Sequence, residues 1–305
     1  MQRILQPGEI EGLERIEFPR VVLPRPRELF ADRAARLREL AAGAGEIAGY
    51  LLLLAHVAEL QAKAAASIRT TPPACGSLAR AVAHGLPPLP AAEAPDPAWR
   101  AVLREMVADL GAAAGAAAPV APVLAALGAA DDAALDRLAR VALDGAGADP
   151  ATQPFVMAAL QVAAADRAAR LSLADLPDSA PATLCPACGT PPVASVLRIG
   201  GALGGHRYLH CGLCGTEWHM VRVKCSHCES TRGIRLRGIE GGDPTVAAET
   251  CDECRTYRKL VNQEKDPRAE PLADDLASLA LDLLMAETVY ARASGNPLLA
   301  LGTDE

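Results

Sequence analysis

Apolar residues along this chain fall into two kinds of pattern. Phe30, Ala34, Leu37 and Ala41 step by four, three and four, which is one face of a helix. Residues 28–65 therefore read as helical, with a break at Gly43 and Gly45. The same period predicts helices over 97–112, 130–144 and 152–172. In the last of these Phe155, Ala158, Ala159 and Val162 make the apolar face, and Gly145 and Gly147 punctuate before it. A final helix is predicted over 271–293, with Leu272, Leu276, Leu279, Leu283 and Tyr290 on one side. In between, the pattern changes. Residues 174–184, ADLPDSAPATL, read as a linker. Two short strands are predicted after it, VASVLRI at 193–199 and GIRLRGI at 233–239. In the second, Ile234 and Leu236 alternate with Arg235 and Arg237, the pattern of a half-buried strand. Each leads into a glycine-rich turn, GGALGG at 200–205 and EGGD at 240–243, and then into a return strand that reaches the second cysteine pair, CGLCG or CDECR.

Composition narrows the class. The 305 residues are 50% hydrophobic and 22% charged, which is globular, and long enough for a core without disulfide staples. Aromatics are 3% and the apolar content is mostly Ala and Leu, which favours packed helices. The net charge of −7 disfavours a dedicated duplex-DNA binder. The start, MQRILQPGEIEGLERIEF, has no apolar leader core. Residues 111–130 carry no charge, but they are Ala/Gly-rich and hold Pro119 and Pro122. They read as a helix end, a break and a helix start, not a membrane span. The expectation is a soluble, cytoplasmic protein with no membrane insertion.

Cysteine spacing carries the chemistry. Eight of nine cysteines form four Cys-x-x-Cys pairs: Cys185/Cys188, Cys211/Cys214, Cys225/Cys228 and Cys251/Cys254. Two cysteines flanking a tight turn aim both sulfurs at one point, which suits a tetrahedral metal. The pairs are separated by 22, 10 and 22 residues, so all four ligands of one block recur at an offset of 40. Ile199 with Ile239, Gly201 with Gly241, Thr216 with Thr256, and Thr190 with Ser230 recur with them. One supersecondary unit is thus used twice. Two knuckles facing each other across a hairpin make a rubredoxin or zinc-ribbon unit. The expected grouping is Cys185, Cys188, Cys211 and Cys214 on one metal, and Cys225, Cys228, Cys251 and Cys254 on another. Pairing crossed between the blocks is the alternative.

The two units are not equal. Gly189 and Gly215 follow the second cysteine of each pair in the first unit, where glycine tolerates positive φ. Glu229 and Arg255 hold those places in the second, so the second site is expected to be the more labile. Thiolates suit zinc and iron alike. Either metal would have at least a folding role.

Other residues give weaker signals. His206, His210, His219 and His227 lie in the metal region, but eight cysteines already complete two tetrahedral sets. Cys75, in the loop TTPPACGS, reads as an inert small apolar residue. No catalytic triad, phosphate loop or carboxylate pair is assignable. Residues 185–260 hold ten Lys/Arg and seven Asp/Glu. Two filled four-thiolate sites at about −2 each bring that segment to about −1, which weakens a nucleic-acid reading.

The runs RYLHCGLCGTEWHMVRVKCSHCES, CDECRTYRKL and DPRAEPLADDLASLALDLLMAETVYARASGNPLL resemble the formate dehydrogenase accessory protein FdhE family. The segment LPRPRELFADRAARLRELA is similar to that family's beginning. The resemblance implies a cytoplasmic assembly factor, not an enzyme. It also implies a chaperone-like partner for the catalytic subunit of formate dehydrogenase, and rubredoxin-type iron. Two metal ions per chain are therefore expected, with iron favoured and zinc the alternative. The fold class expected is α+β. An all-helical domain over 1–180 precedes a small tandem rubredoxin-like or zinc-ribbon-like metal-binding domain over 181–262. A helical segment over 263–305 packs on the rest. The competing functions are a rubredoxin-like redox protein and a nucleic-acid-binding zinc ribbon. Trp218 and Arg222, between the units, are candidate client anchors, Trp218 being equally well a core residue.

Overall fold

Helices dominate the first part of the chain because its apolar residues are mostly Ala and Leu at helical spacing. The structure, a computed structural model, describes residues 18–74, 76–112, 119–144, 147–178 and 181–299. Proline at the first turn opens α1 (Pro26–Ala41), where its missing N–H costs no hydrogen bond. The chain breaks after Ala41 and resumes as α2 (Ala48–Ala65). The next elements are α3 (Ser77–Ala83), α4 (Ala98–Ala112), α5 (Ala121–Ala129), α6 (Asp132–Asp144) and α7 (Gln153–Ala169). The chargeless stretch over 111–130 holds the end of α4 and the whole of α5, a complete short helix where only a helix start was expected. Helix α7 is the axis of the bundle. Residues 154–163 are all buried, so it packs on every side instead of showing a single apolar face.

The strands form one mixed sheet: β1 (Val21–Val22), β2 (Pro192–Leu197), β3 (Arg207–Cys211), β4 (Glu217–His219), β5 (Ile234–Arg237), β6 (Val246–Cys251), β7 (Thr256–Asn262) and β8 (Ala291–Arg292). Their order is β1-β4-β3-β2-β7-β6-β5, with β8 on β7. Each repeat unit is thus a three-stranded antiparallel meander, β2-β3-β4 and β5-β6-β7. The third strand of each was not expected from the pattern. In β7 the reason is plain: Arg258 and Lys259 are buried, and buried charges read in a sequence as exposed ones. The two meanders join through a parallel pairing of β2 with β7, Ser195 facing Leu260. Before residue 180 the described residues contain only the two-residue β1, which pairs with β4.

The helix expected over 271–293 is two short helices and an extended end. Helix α8 (Pro271–Ala277) stops at Ser278, and α9 (Leu279–Ala286) follows. Lys259 Nζ donates to the carbonyls of Asp275 at 2.7 Å and Ser278 at 3.1 Å, capping the end of α8. The Ser278 hydroxyl donates back to the Asp274 carbonyl at 2.7 Å. Leu272 and Leu276 are buried as expected, but the buried face of α9 is Leu281 and Met285, while Leu283 is exposed. Helix α8 is held to α1 by buried ion pairs, Arg33 to Glu270 at 3.0 Å and Arg36 to Asp274 at 2.6 Å.

One apolar core runs without a break from the helices into the first unit. Phe30, Leu54, Leu103 and Leu160 belong to it, and so do Cys185, Cys188, Cys211, Cys214, Leu209 and Trp218. The second unit rests on a small separate cluster of Ala248, Tyr257, Leu281 and Met285.

Candidate metal centre

All four Cys-x-x-Cys turns share one backbone design. The residue after the second cysteine donates its N–H to the carbonyl of the first: Gly189 to Cys185 at 2.8 Å, Gly215 to Cys211 at 3.2 Å, Glu229 to Cys225 at 3.1 Å and Arg255 to Cys251 at 2.9 Å. That residue sits at positive φ in every turn, 77° at Gly189, 73° at Gly215, 63° at Glu229 and 54° at Arg255. Among the described residues Glu229 and Arg255 are the only non-glycines there. A side chain in this left-handed region costs about 1–2 kcal/mol.

These turns bring the eight cysteines together in two groups, 185/188/211/214 and 225/228/251/254, each with its sulfurs within 4.8 Å of one another. This is the within-block grouping and not the crossed one. In the first, Cys185 Sγ lies 3.6 Å from Cys214 Sγ, and Cys211 Sγ lies 3.5 Å from both Cys188 Sγ and Cys214 Sγ. In the second, Cys225 Sγ lies 3.8 Å from Cys254 Sγ and Cys228 Sγ 3.7 Å from Cys251 Sγ. A tetrahedral ion with metal–sulfur bonds of about 2.3 Å sets its sulfurs about 3.8 Å apart. Both groups therefore fit such an ion, and the donor set suits zinc and iron equally. Among the described residues no histidine joins either group. Cys75 lies outside the described residues.

The surroundings of the groups differ sharply. All four sulfurs of the first are buried; in the second Cys228 is exposed and Cys254 half-buried. The helical domain clasps the first group. Leu89 N–H donates to the Ala187 carbonyl at 3.0 Å, Ala91 N–H to the Cys188 carbonyl at 2.9 Å, and Gln161 Nε2 to the Gly212 carbonyl at 2.7 Å. Burial pushes the Cys185 and Cys214 thiols up. Burial also opposes ionisation of Cys211, but hydrogen bonds from Cys185, Cys188, Cys214 and Thr190 hold it well below the usual range. In the second group burial pushes Cys225 up to about 12.

Hydroxyl groups were the part of the site that spacing did not assign. Thr190 Oγ1 lies 3.2 Å from Cys188 Sγ and 3.1 Å from Cys211 Sγ, and Thr216 Oγ1 lies 3.2 Å from Cys214 Sγ. Thr256 Oγ1 lies 3.1 Å from Cys254 Sγ. Against ionised sulfurs these hydroxyls donate. The signal was present, since every pair is followed two residues later by Thr or Ser. Ser230 is the exception: its hydroxyl accepts from Arg232 N–H at 3.1 Å.

The remaining candidates are placed as follows. Trp218 is 5% exposed, and its indole N–H donates to the Ala182 carbonyl at 2.8 Å, so it is a core residue and not an exposed anchor. Arg222 is half exposed and donates to the Gly205 carbonyl at 2.7 Å. His210 is buried and bonded through Nδ1 to Glu217 at 2.8 Å. Arg198 donates to the same carboxylate at 2.8 Å. Although burial opposes it, the Arg198 guanidinium and His210 hold the Glu217 carboxyl down at about 2.

Three family models match the chain in succession: "FdhE, N-terminal" over residues 18–180, "FdhE, central domain" over 184–222 and "FdhE, C-terminal domain" over 223–299. The chain belongs to the FdhE family. Its central-domain match holds the first sulfur group and its C-terminal match the second. The FdhE homolog of Cronobacter sakazakii is 37% identical over 304 residues, covering 94% of this chain and 93% of that one. That of Stutzerimonas stutzeri is 41% identical over 310 residues and covers 98% of both. The crystal structure of the FdhE protein from Pseudomonas aeruginosa superposes with a TM-score of 0.83 at 38% identity, covering 93% of this chain and all of that one. Among the described residues no helix is long and apolar enough to cross a membrane.

Proposed function

We infer that this FdhE-family chain is a non-enzymatic maturation factor for respiratory formate dehydrogenase. It acts in the cytoplasm, binds the catalytic subunit, and carries one metal ion on each group of four cysteines. The reading is carried by one observation: near full-length similarity to FdhE proteins in a chain whose eight paired cysteines converge at tetrahedral spacing. Cys185, Cys188, Cys211 and Cys214 ligate the first ion; Cys225, Cys228, Cys251 and Cys254 ligate the second. Iron is the favoured metal and zinc the alternative. The segment's near-neutral charge with both sites filled supports a protein partner over a nucleic acid.

A redox role is the second reading, favoured by the Thr190, Thr216 and Thr256 hydroxyls at the sulfurs. Hydrogen bonds to sulfur set the potential of an iron couple, whereas zinc has no couple to tune. Protein purified without oxygen separates the two. Two irons per chain with reversible thiolate-to-iron absorption support iron at both sites; two zincs and no visible band exclude the redox role. Binding of the purified catalytic subunit under the same conditions tests the maturation role, and failure of the wild-type chain to bind it ends that reading.

A further inference from the structure

Strand β5 is an open edge. Among the described residues it pairs only with β6, and it ends the sheet. An alternating strand of this kind usually buries one face, yet Leu236 is 60% exposed. Beside it opens a cleft of about 370 Å³ lined by Leu197, Val223, Ile234, Leu236 and Leu260, with Arg222 and Arg207 at its wall. Val223 is itself 63% exposed. The intervening side chains of β5 are Arg235 and Arg237. Arg235 has only a loose partner, Asp252 at 3.7 Å, and both are exposed. Arg237 lies over the Tyr290 ring at 5.1 Å. An unpaired edge offers backbone donors and acceptors to another strand, and arginines on that edge decide which strand is admitted.

We propose that β5 and this cleft form the docking site for an extended segment of the client in which apolar and acidic residues alternate. The inference rests on the client-binding reading above and adds the surface and the chemistry of the partner. The incoming strand pairs with β5, sets its apolar side chains beside Leu236 and Val223, and sets its carboxylates beside Arg235 and Arg237. A second copy of this chain does not fit. Pairing β5 with itself about Leu236 places Arg235 of one copy against Arg237 of the other, and like charges directly opposite are destabilising. The exposed ion pair to Asp252 holds Arg235 weakly, so a client carboxylate displaces it at little cost.

The test uses the full metal-loaded chain and the purified catalytic subunit of formate dehydrogenase without oxygen. Hydrogen exchange of the wild-type complex should slow at the amides of residues 234–237. Leu236→Glu and the double change Arg235→Glu/Arg237→Glu should each weaken binding about tenfold with metal content unchanged. Wild-type binding that weakens with added salt is also expected. Binding with no added protection at residues 234–237, or with both variants binding like wild type, overturns the docking site and leaves the client reading intact. Absence of wild-type binding takes down both. Protection of β5 that rises with protein concentration in the absence of client makes the occupant a second copy and also overturns the proposal.

Discussion

A Cβ on Gly215 would stand 2.5 Å from Leu29 Cδ2 on α1. The first unit is therefore pressed against the helical domain at the very residue that must be left-handed, and glycine meets both demands. At Gly189 the same relation holds with Pro87, whose Cγ would lie 3.0 Å from an added Cβ. The equivalent residues of the second unit, Glu229 and Arg255, are exposed, so their side chains have room there and the cost is the positive φ.

Gly215→Ala should lower stability by about 2–4 kcal/mol, the sum of the left-handed penalty and overpacking against Leu29. Glu229→Gly and Arg255→Gly should each raise it by about 1 kcal/mol and slow metal release from the second site. Thermal unfolding of the metal-loaded proteins measures the first effect, and release kinetics into a chelator measures the second. A loss of only about 1 kcal/mol, the left-handed penalty alone, would show that α1 does not press on this turn.

Metal should leave in two steps. The first equivalent comes from the group containing exposed Cys228, and the second only as the main core opens. Cys228→Ser should give folded protein holding one ion. Cys211→Ser should give insoluble or degraded protein, because its sulfur belongs to the main core and structural metal binding carries about 10 kcal/mol or more of folding free energy. Metal analysis of both variants decides; full loading of Cys211→Ser would refute its role as a ligand.

Arg207 and Glu249 pair at 2.6 Å in the interior and join the first meander to the second. Arg207 also donates to the Lys224 carbonyl at 2.8 Å, just before the second site begins. Burial pushes the Arg207 pKa down and the Glu249 pKa up, so the pair depends on its own contact. Glu249→Ala should cost about 3–5 kcal/mol by stranding a buried guanidinium, and Arg207→Met with Glu249→Leu should recover most of it. A double-mutant cycle on unfolding midpoints measures the coupling.

Glu217 predicts an acid limb of stability. Its carboxyl titrates at about 2 in the fold against an ordinary 4.5. A depressed carboxylate contributes stability that is complete above its unfolded value and is lost as pH falls through its folded value. The window is thus from 4.5 down to about 2, and the loss is about 3 kcal/mol. Glu217→Gln should flatten this limb. Comparing the two proteins cancels the protonation of the cysteines, which is common to both. Identical acid profiles would remove Glu217 from the account.

The cysteine groups were legible because a metal knuckle is a local object. Its turn, its left-handed residue and its hydroxyl position are set within six residues, so spacing and the repeat at an offset of 40 specify it before any folding. The long helices were legible for a similar reason: Phe30, Ala34 and Leu37 repeat at the helical period and are all buried. Strand β7 was not, because Arg258 and Lys259 look exposed in a sequence. Only the fold supplies Ser226 for the first at 2.8 Å, and the end of α8 for the second.

By itself, then, the sequence determined two similar sets of four cysteines, a helical first half and the non-glycine residues Glu229 and Arg255 in the turns of the second set. Tertiary structure decided how unequal the sets become: one is sealed in the core by Leu29, Pro87 and Gln161, and the other is left at the surface. It decided too that β2 and β7 fuse the meanders into one sheet and that Leu236 is uncovered at its edge. The physical reason is range. Turn geometry depends on neighbours along the chain, whereas burial, ion pairing and edge exposure depend on residues brought together from far apart, which no local pattern encodes.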